Sequence, residues 1–204
     1  MIEIILLVSS VLFIFALKLF GRPSTAHRAN TFAMLAMALA VFSAFNFDFS
    51  KYDSAFYITI VISGLLGVLI SKRVQMTQMP ELVGLFNGFG GGASGAIAYV
   101  ELSGNSLPLS DVFVAIFSMV IGVFTFSGSL VAVMKLRGKL NNFNKKLADI
   151  FSVFLPTIIV IPAVLEMDDL LIEFIILVAL IAGIIRVAVI GGADMPVVIA
   201  FLNS

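Results

Sequence analysis

Apolar residues in this chain are gathered into long runs separated by short polar punctuation. Seven runs reach spanning or near-spanning length: Ile2 to Phe20, Ala29 to Phe45, Ala55 to Ile70, Leu82 to Val100, Val112 to Met134, Ile150 to Leu165 and Leu170 to Ile190. A helix needs about 20 predominantly apolar residues to cross a bilayer, so each run predicts a membrane helix. An eighth begins at Met195 and stops at Ser204, well short of that length. The pattern predicts an all-α, polytopic membrane helix bundle with seven full spans plus the start of an eighth. Residues 1–204 then form one transmembrane domain, incomplete at its C-terminus. The longest polar connection, Lys135 to Asp149, is too short to fold alone, so no soluble domain is expected.

Composition agrees. With 61% hydrophobic and 12% charged residues and a mean hydropathy of +1.17, a soluble core of this size could not bury the apolar surface. The net charge of zero hides an asymmetry. Alternate connections carry Lys18, Arg22 and Arg28, then Lys72 and Arg73, then Lys135, Arg137, Lys139, Lys145 and Lys146. The connections between them hold one base, Lys51, beside Asp48, Asp53, Glu101, Asp111, Glu166, Asp168, Asp169 and Glu173. Bases accumulate on the cytoplasmic side, which places the N-terminus outside and Asp194 at the inner surface. A basic face of this kind is a topology signal and not a nucleic-acid footprint, so no nucleic-acid partner is expected. The first run has no basic n-region and no small-residue cleavage site, which reads as an anchor rather than a signal peptide. The chain has no cysteine, and its one histidine, His27, falls in a loop of the inward side.

One phrase occurs twice. MPELVGLFNG begins at Met79 and MPVVIAFLNS at Met195, so that Pro80 aligns with Pro196, Asn87 with Asn203 and Gly88 with Ser204. Proline is tolerated in the first helical turn, where its missing N–H would have had no partner. Both copies start at an inward loop, which makes the two helices parallel. The asparagines lie seven residues on, roughly 10 Å deeper than the prolines. Parallel internal repeats place polar groups at a shared interface in transport proteins; the competing reading is an interhelical hydrogen bond that only holds the bundle together.

The ionisable candidates also carry two readings each. Asp194 is either an N-cap for the last helix or the cytoplasmic mouth of a proton path, and Glu81 either a first-turn acid or part of that mouth. Arg186, eight residues before Asp194, either snorkels to the interface or pairs with Asp194 or Glu81. The segment GFGGGASG satisfies G-x-G-x-x-G over Gly90 to Gly95, but a dinucleotide fingerprint needs a strand before it and a helix after it. Close helix packing is the expected role of these small residues, with Gly88, Gly92 and Ala96 four apart and Gly95 beside them.

MTQMPELVGLFNGFGGGASG and IGGADMPVVIAFLNS resemble the membrane region of the beta subunit of proton-translocating NAD(P) transhydrogenase, and the likeness extends over essentially the whole chain. The resemblance implies a complex, Si/Re-specific, that couples inward proton translocation to hydride transfer from NADH to NADP+ in the inner (plasma) membrane of a bacterium. It implies nine spans and then a cytoplasmic NADP(H)-binding domain, which this sequence does not reach; the chain alone is expected to be inactive and to bind neither NAD(H) nor NADP(H), nor any metal. At the position of Asn87 one branch of the family has a proton-handling histidine; in the branch this chain resembles, a neighbouring alpha-type subunit supplies it. Asp194 and Asn203 match the family's coupling aspartate and asparagine, and Glu81 an acid at the inner end of its helix. A dimer of the complex in the lipid bilayer is implied. A proton- or cation-coupled secondary transporter subunit and a purely structural scaffold are the alternatives.

Overall fold

The computed structural model describes residues 2–44, 53–104, 107–140 and 169–202. Among these there is no strand; long helices are joined by short turns. The helices are α1 (Ile2–Phe20), α2 (Ala26–Ala44), α3 (Ser54–Arg73), α4 (Met79–Gly104), α5 (Leu109–Leu136), α6 (Asp169–Ala188) and α7 (Met195–Leu202). α1, α3, α5 and α6 are each long and apolar enough to cross a membrane. α2 and α4 have comparable length, but polar and glycine residues dilute them. The sixth apolar run, Ile150 to Leu165, lies outside the described residues. Helices overrun the apolar runs at most ends, where charged residues continue the same backbone: Glu101 lies in the last turn of α4, Asp111 in the first turn of α5 and Lys135 in its last turn. At 1.5 Å per residue the 26 residues of α4 extend about 39 Å, more than the ~30 Å hydrocarbon thickness.

The chain divides into two compact units, Met1–Lys72 and Arg73–Ser204. In the first, α1 and α2 pack antiparallel through small residues. Ala29 and Ala36 are fully buried, the Ser9 hydroxyl donates to the Ala36 carbonyl at 2.7 Å, and Phe15 meets Phe32 edge-to-face with centroids 5.1 Å apart. His27 is not in a loop but in the first turn of α2, where it is exposed. α3 starts at an Asp53 cap, whose carboxylate accepts the Phe56 N–H at 3.0 Å. It is apolar on every side and buries no residue.

In the second unit α5 is central. α4 runs antiparallel along it: Gly84 faces Val133, Gly88 faces Ser129, Gly91 faces Thr125 and Gly122, and Gly95 faces Val123 and Met119. The packing stripe is therefore Gly84, Gly88, Gly91 and Gly95, alternating steps of four and three. A strict step of four drifts about 40° per step around a 3.6-residue helix, and Ala96 is accordingly exposed. Gly92 meets the Phe126 ring from the stripe's edge. α6 runs in the same direction as α5. Near their starts Ile172 and Ile175 join a cluster with Val112, Ile116 and Met119, and further along Val187 packs over Gly128 and Ala132. α5 ends in a Schellman turn: the Lys139 N–H reaches the Met134 carbonyl and the Gly138 N–H that of Lys135, with Gly138 at φ +67°.

Candidate functional site

The two Met-Pro helices begin alike. Each is preceded by a single 3-10 turn, Met76–Gln78 before α4 and Gly192–Asp194 before α7. Each Pro then falls on the first turn, where it removes no helical hydrogen bond. The likeness extends upstream of the repeated phrase, since Asp194 occupies the turn position that Gln78 holds in the other copy. Gln78 stabilises its turn from the side chain, accepting the Gln75 N–H at 3.2 Å. The Asp194 side chain is exposed and lies near Gly191, the corresponding residue of its own turn. No hydrogen bond to that carboxylate is formed among the described residues, so α7 starts without the side-chain cap an aspartate can provide.

α7 lies against both α4 and α5. Ile199 approaches Gly84 and Leu202 approaches Gly128, and the Lys135 carbonyl lies near Gly192 at the start of α7. α7 is thus antiparallel to α5 and parallel to α4. The repeat aligns Gly84 with Ala200, and the structure sets it against Ile199, so equivalent residues of the two copies share a depth to within about one residue rise, ~1.5 Å. Asn203 lies outside the described residues.

Asn87 sits two turns into α4 on the wall of an open groove of about 940 Å³. Val83, Gly90 and Ser94 continue its wall, Ser118 and Thr125 line it from α5, and Pro196 and Ala200 from α7. The Asn87 amide donates to the Ser129 hydroxyl at 3.0 Å. Ser129 is fully buried, and Gly88 makes room for it, a Cβ there standing 3.1 Å from the serine Cβ. The amide is therefore held by α5 while one of its faces borders the groove. Asparagine cannot titrate, so it can orient a water or an imidazole but cannot itself carry a proton.

Charges collect at the end of the unit where α4 and α7 start. Glu81 accepts a hydrogen bond from Arg137 Nε at 2.7 Å; the arginine is half exposed and the glutamate largely covered. Glu81 thus takes Arg137 as ion partner, while Arg186 lies half-buried in the last turn of α6. A pair as wet as this one contributes about 0–1 kcal/mol; its role is to tie the start of α4 to the end of α5. Lys135 is only 5% exposed, and its ammonium donates to the carbonyls of Ala188 and Ile190. A cation there satisfies orphan carbonyls at the C-terminus of α6 and meets the negative end of its dipole. Arg137 and Lys135 read in the sequence only as part of a basic connection. Their distinct roles follow from α5 running past its apolar stretch, which the Schellman glycine at 138 signals.

The Gly90 to Gly95 segment does not fit a nucleotide. It lies in the interior of α4 with no strand before it and no free helix start, and Gly95 packs on the Met119 carbonyl, the approach a pyrophosphate would need. No group of three or more carboxylate, histidine or cysteine side chains suited to a metal occurs among the described residues.

Residues 2–204 match the family model described as NAD(P) transhydrogenase beta subunit. NAD(P) transhydrogenase subunit beta from Rhodospirillum rubrum, and the same subunit from a named strain of that species, are each 31% identical over 213 residues. The match covers 97% of this chain and 46% of the relative, so the chain spans less than half the length of the curated relatives it matches. The parallel Met-Pro helices and the glycine seam belong to the stretch shared with them, and the chain is a member of the NAD(P) transhydrogenase beta subunit family.

Proposed function

We propose that this chain is the proton-conducting membrane part of an NAD(P) transhydrogenase, in which inward proton movement drives hydride transfer from NADH to NADP+, with Si/Re specificity. The observation that carries the reading is the parallel pair α4 and α7, set at one depth, with Asn87 pinned by Ser129 at the edge of an open groove. A histidine from an alpha-type subunit enters that groove, takes up the proton, and is oriented by Asn87 and Asn203. Asp194, Glu81 and Arg186 form the cytoplasmic mouth. The exposed, uncapped carboxylate of Asp194 meets the NADP(H)-binding domain, so that nucleotide state and protonation bias the same helix pair. Coupling needs two arrangements of that pair, and the low-cost Glu81–Arg137 pair is an element that can break and reform. Both nucleotides are used by the assembled complex. Seven spans and part of an eighth cross the bacterial inner membrane, the N-terminus is outside, and the complex is a dimer.

The test is Asp194→Asn in the complete complex reconstituted in vesicles. NADH-dependent reduction of an NADP analogue is followed with and without an imposed proton gradient. The gradient-dependent part should be lost; unchanged stimulation by the gradient would sink the assignment. Solute uptake in the absence of nucleotide would instead favour a secondary transporter.

A further inference from the structure

Beyond Asn87 the seam between α4 and α5 carries a ladder of polar residues. On α4 they are Asn87, Ser94 and Glu101; on α5, running the other way, Thr125, Ser118 and Asp111. Each set is spaced by seven, which keeps a helix residue on one face with a drift of only about 20° per step. The antiparallel pairing turns the sets into three rungs. Asn87 and Thr125 line the 940 Å³ groove, Ser94 and Ser118 stand with hydroxyl oxygens 3.4 Å apart, and Glu101 and Asp111 line a second cavity of about 440 Å³. The two cavities share Ser94 and Ser118, so the middle rung is the doorway between them. Rungs are roughly 10 Å apart, a gap that about three hydrogen-bonded waters span. The walls between rungs are apolar, from Val114, Phe117 and Ile121. Apolar walls with a polar group every two turns suit a single water file rather than a charged ligand.

We infer that this ladder is the outward half of the proton route, delivering protons from the end of the bundle with Glu101 and Asp111, past Ser94 and Ser118, to the groove beside Asn87. The inference rests on the proposed transhydrogenase reading and adds the route on this side of the groove. Glu101 and Asp111 gather protons at the mouth, and the serines position water by donating and accepting in turn; neither hydroxyl needs to ionise.

The chain lacks cysteine, so Ser94→Cys, Ser118→Cys and Ile181→Cys each introduce its only thiol. Ile181 is exposed at mid-length on α6 and lines neither cavity. In the complete complex in vesicles, an impermeant cationic methanethiosulfonate is added on the side bearing Glu101, with the unsubstituted complex as background. Only a thiolate reacts, and thiolates form in water but not in hydrocarbon. Labelling at positions 94 and 118 but not 181, with loss of the gradient-dependent rate after labelling, is the expected result. Absence of labelling at 94 and 118, or labelling that leaves the gradient-dependent rate intact, overturns the route. If the unsubstituted complex shows no nucleotide reaction, the transhydrogenase reading fails, while the labelling pattern still decides whether the ladder is wet.

Discussion

Gly122 is the tightest glycine contact between α4 and α5, and it sets the sign of a stability experiment. A Cβ at this position would stand 2.5 Å from the Gly91 carbonyl oxygen, 2.6 Å from the Gly95 nitrogen and 2.9 Å from the Gly95 Cα. All three are backbone atoms, so no rotamer can yield. Ordinary contact begins near 3.5 Å, and Gly122→Ala therefore requires the helices to part by on the order of 1 Å. Overpacking of this kind costs about 1–3 kcal/mol, and with only backbone to move the upper end applies. Alanine's better helix propensity returns about 1 kcal/mol, leaving a net loss of about 2 kcal/mol. Gly64 in α3 is the counterpart, with nothing within 4 Å of the added carbon. There only the propensity gain operates, and Gly64→Ala should stabilise by about 1 kcal/mol. The two variants are compared by denaturant unfolding of the chain in detergent, followed by circular dichroism because the chain has no tryptophan. Shifts of the same sign, or a Gly122→Ala loss too small to measure, would refute the close seam.

Lys135→Met keeps the packed stem but removes the ammonium from the Ala188 and Ile190 carbonyls. Hydrogen bonds to a charged group contribute about 1.5–3 kcal/mol each, and relief from burying the ammonium offsets part of the two, so the same unfolding assay should register a loss of at least about 2 kcal/mol; no change would mean those carbonyls have other donors. Asn87→Leu separates adhesion from conduction: interhelical hydrogen bonds in membranes average about 0.6 kcal/mol, so stability should fall by less than about 1 kcal/mol while the gradient-dependent rate of the complex collapses. A rate that falls only as much as the stability does would assign Asn87 to adhesion.

Much of this arrangement can be read along the chain, for reasons that differ from residue to residue. Helix positions follow from apolar runs, and α1 begins and ends where its run does. The shared depth of α4 and α7 follows from a repeated phrase, because identical spacing from a helix-starting proline converts directly to distance along an axis. What the sequence does not display is which charges meet. Arg137 is one of several bases in a polar connection, and only the turn that ends α5 after Leu136 brings it to Glu81. Lys135 resembles its neighbours in a basic connection, yet it is buried because α6 ends beside it. The glycines divide the same way. Their density in α4 announces a close contact, but the stripe that makes it depends on phase around the helix, which places Gly84 and Gly91 in it and Ala96 outside.

The polar ladder shows how one helix pair can serve adhesion and passage together. On α4, Asn87 and Ser94 lie about 40–60° around the axis from Gly91, and on α5 Ser118 and Thr125 lie at similar angles from Gly122. The glycines form the floor of the seam and the polar residues its flank. Backbone contact at the floor fixes the register, and the register alone brings Ser94 opposite Ser118. Their oxygens are 3.4 Å apart, at the outer limit of a hydrogen bond. The ~1 Å separation forced by Gly122→Ala would carry them beyond it, so a substitution that touches no polar group should impair the water file as well as the fold. If Gly122→Ala lowered stability yet left the gradient-dependent rate of the assembled complex untouched, the doorway between the cavities would have to lie elsewhere.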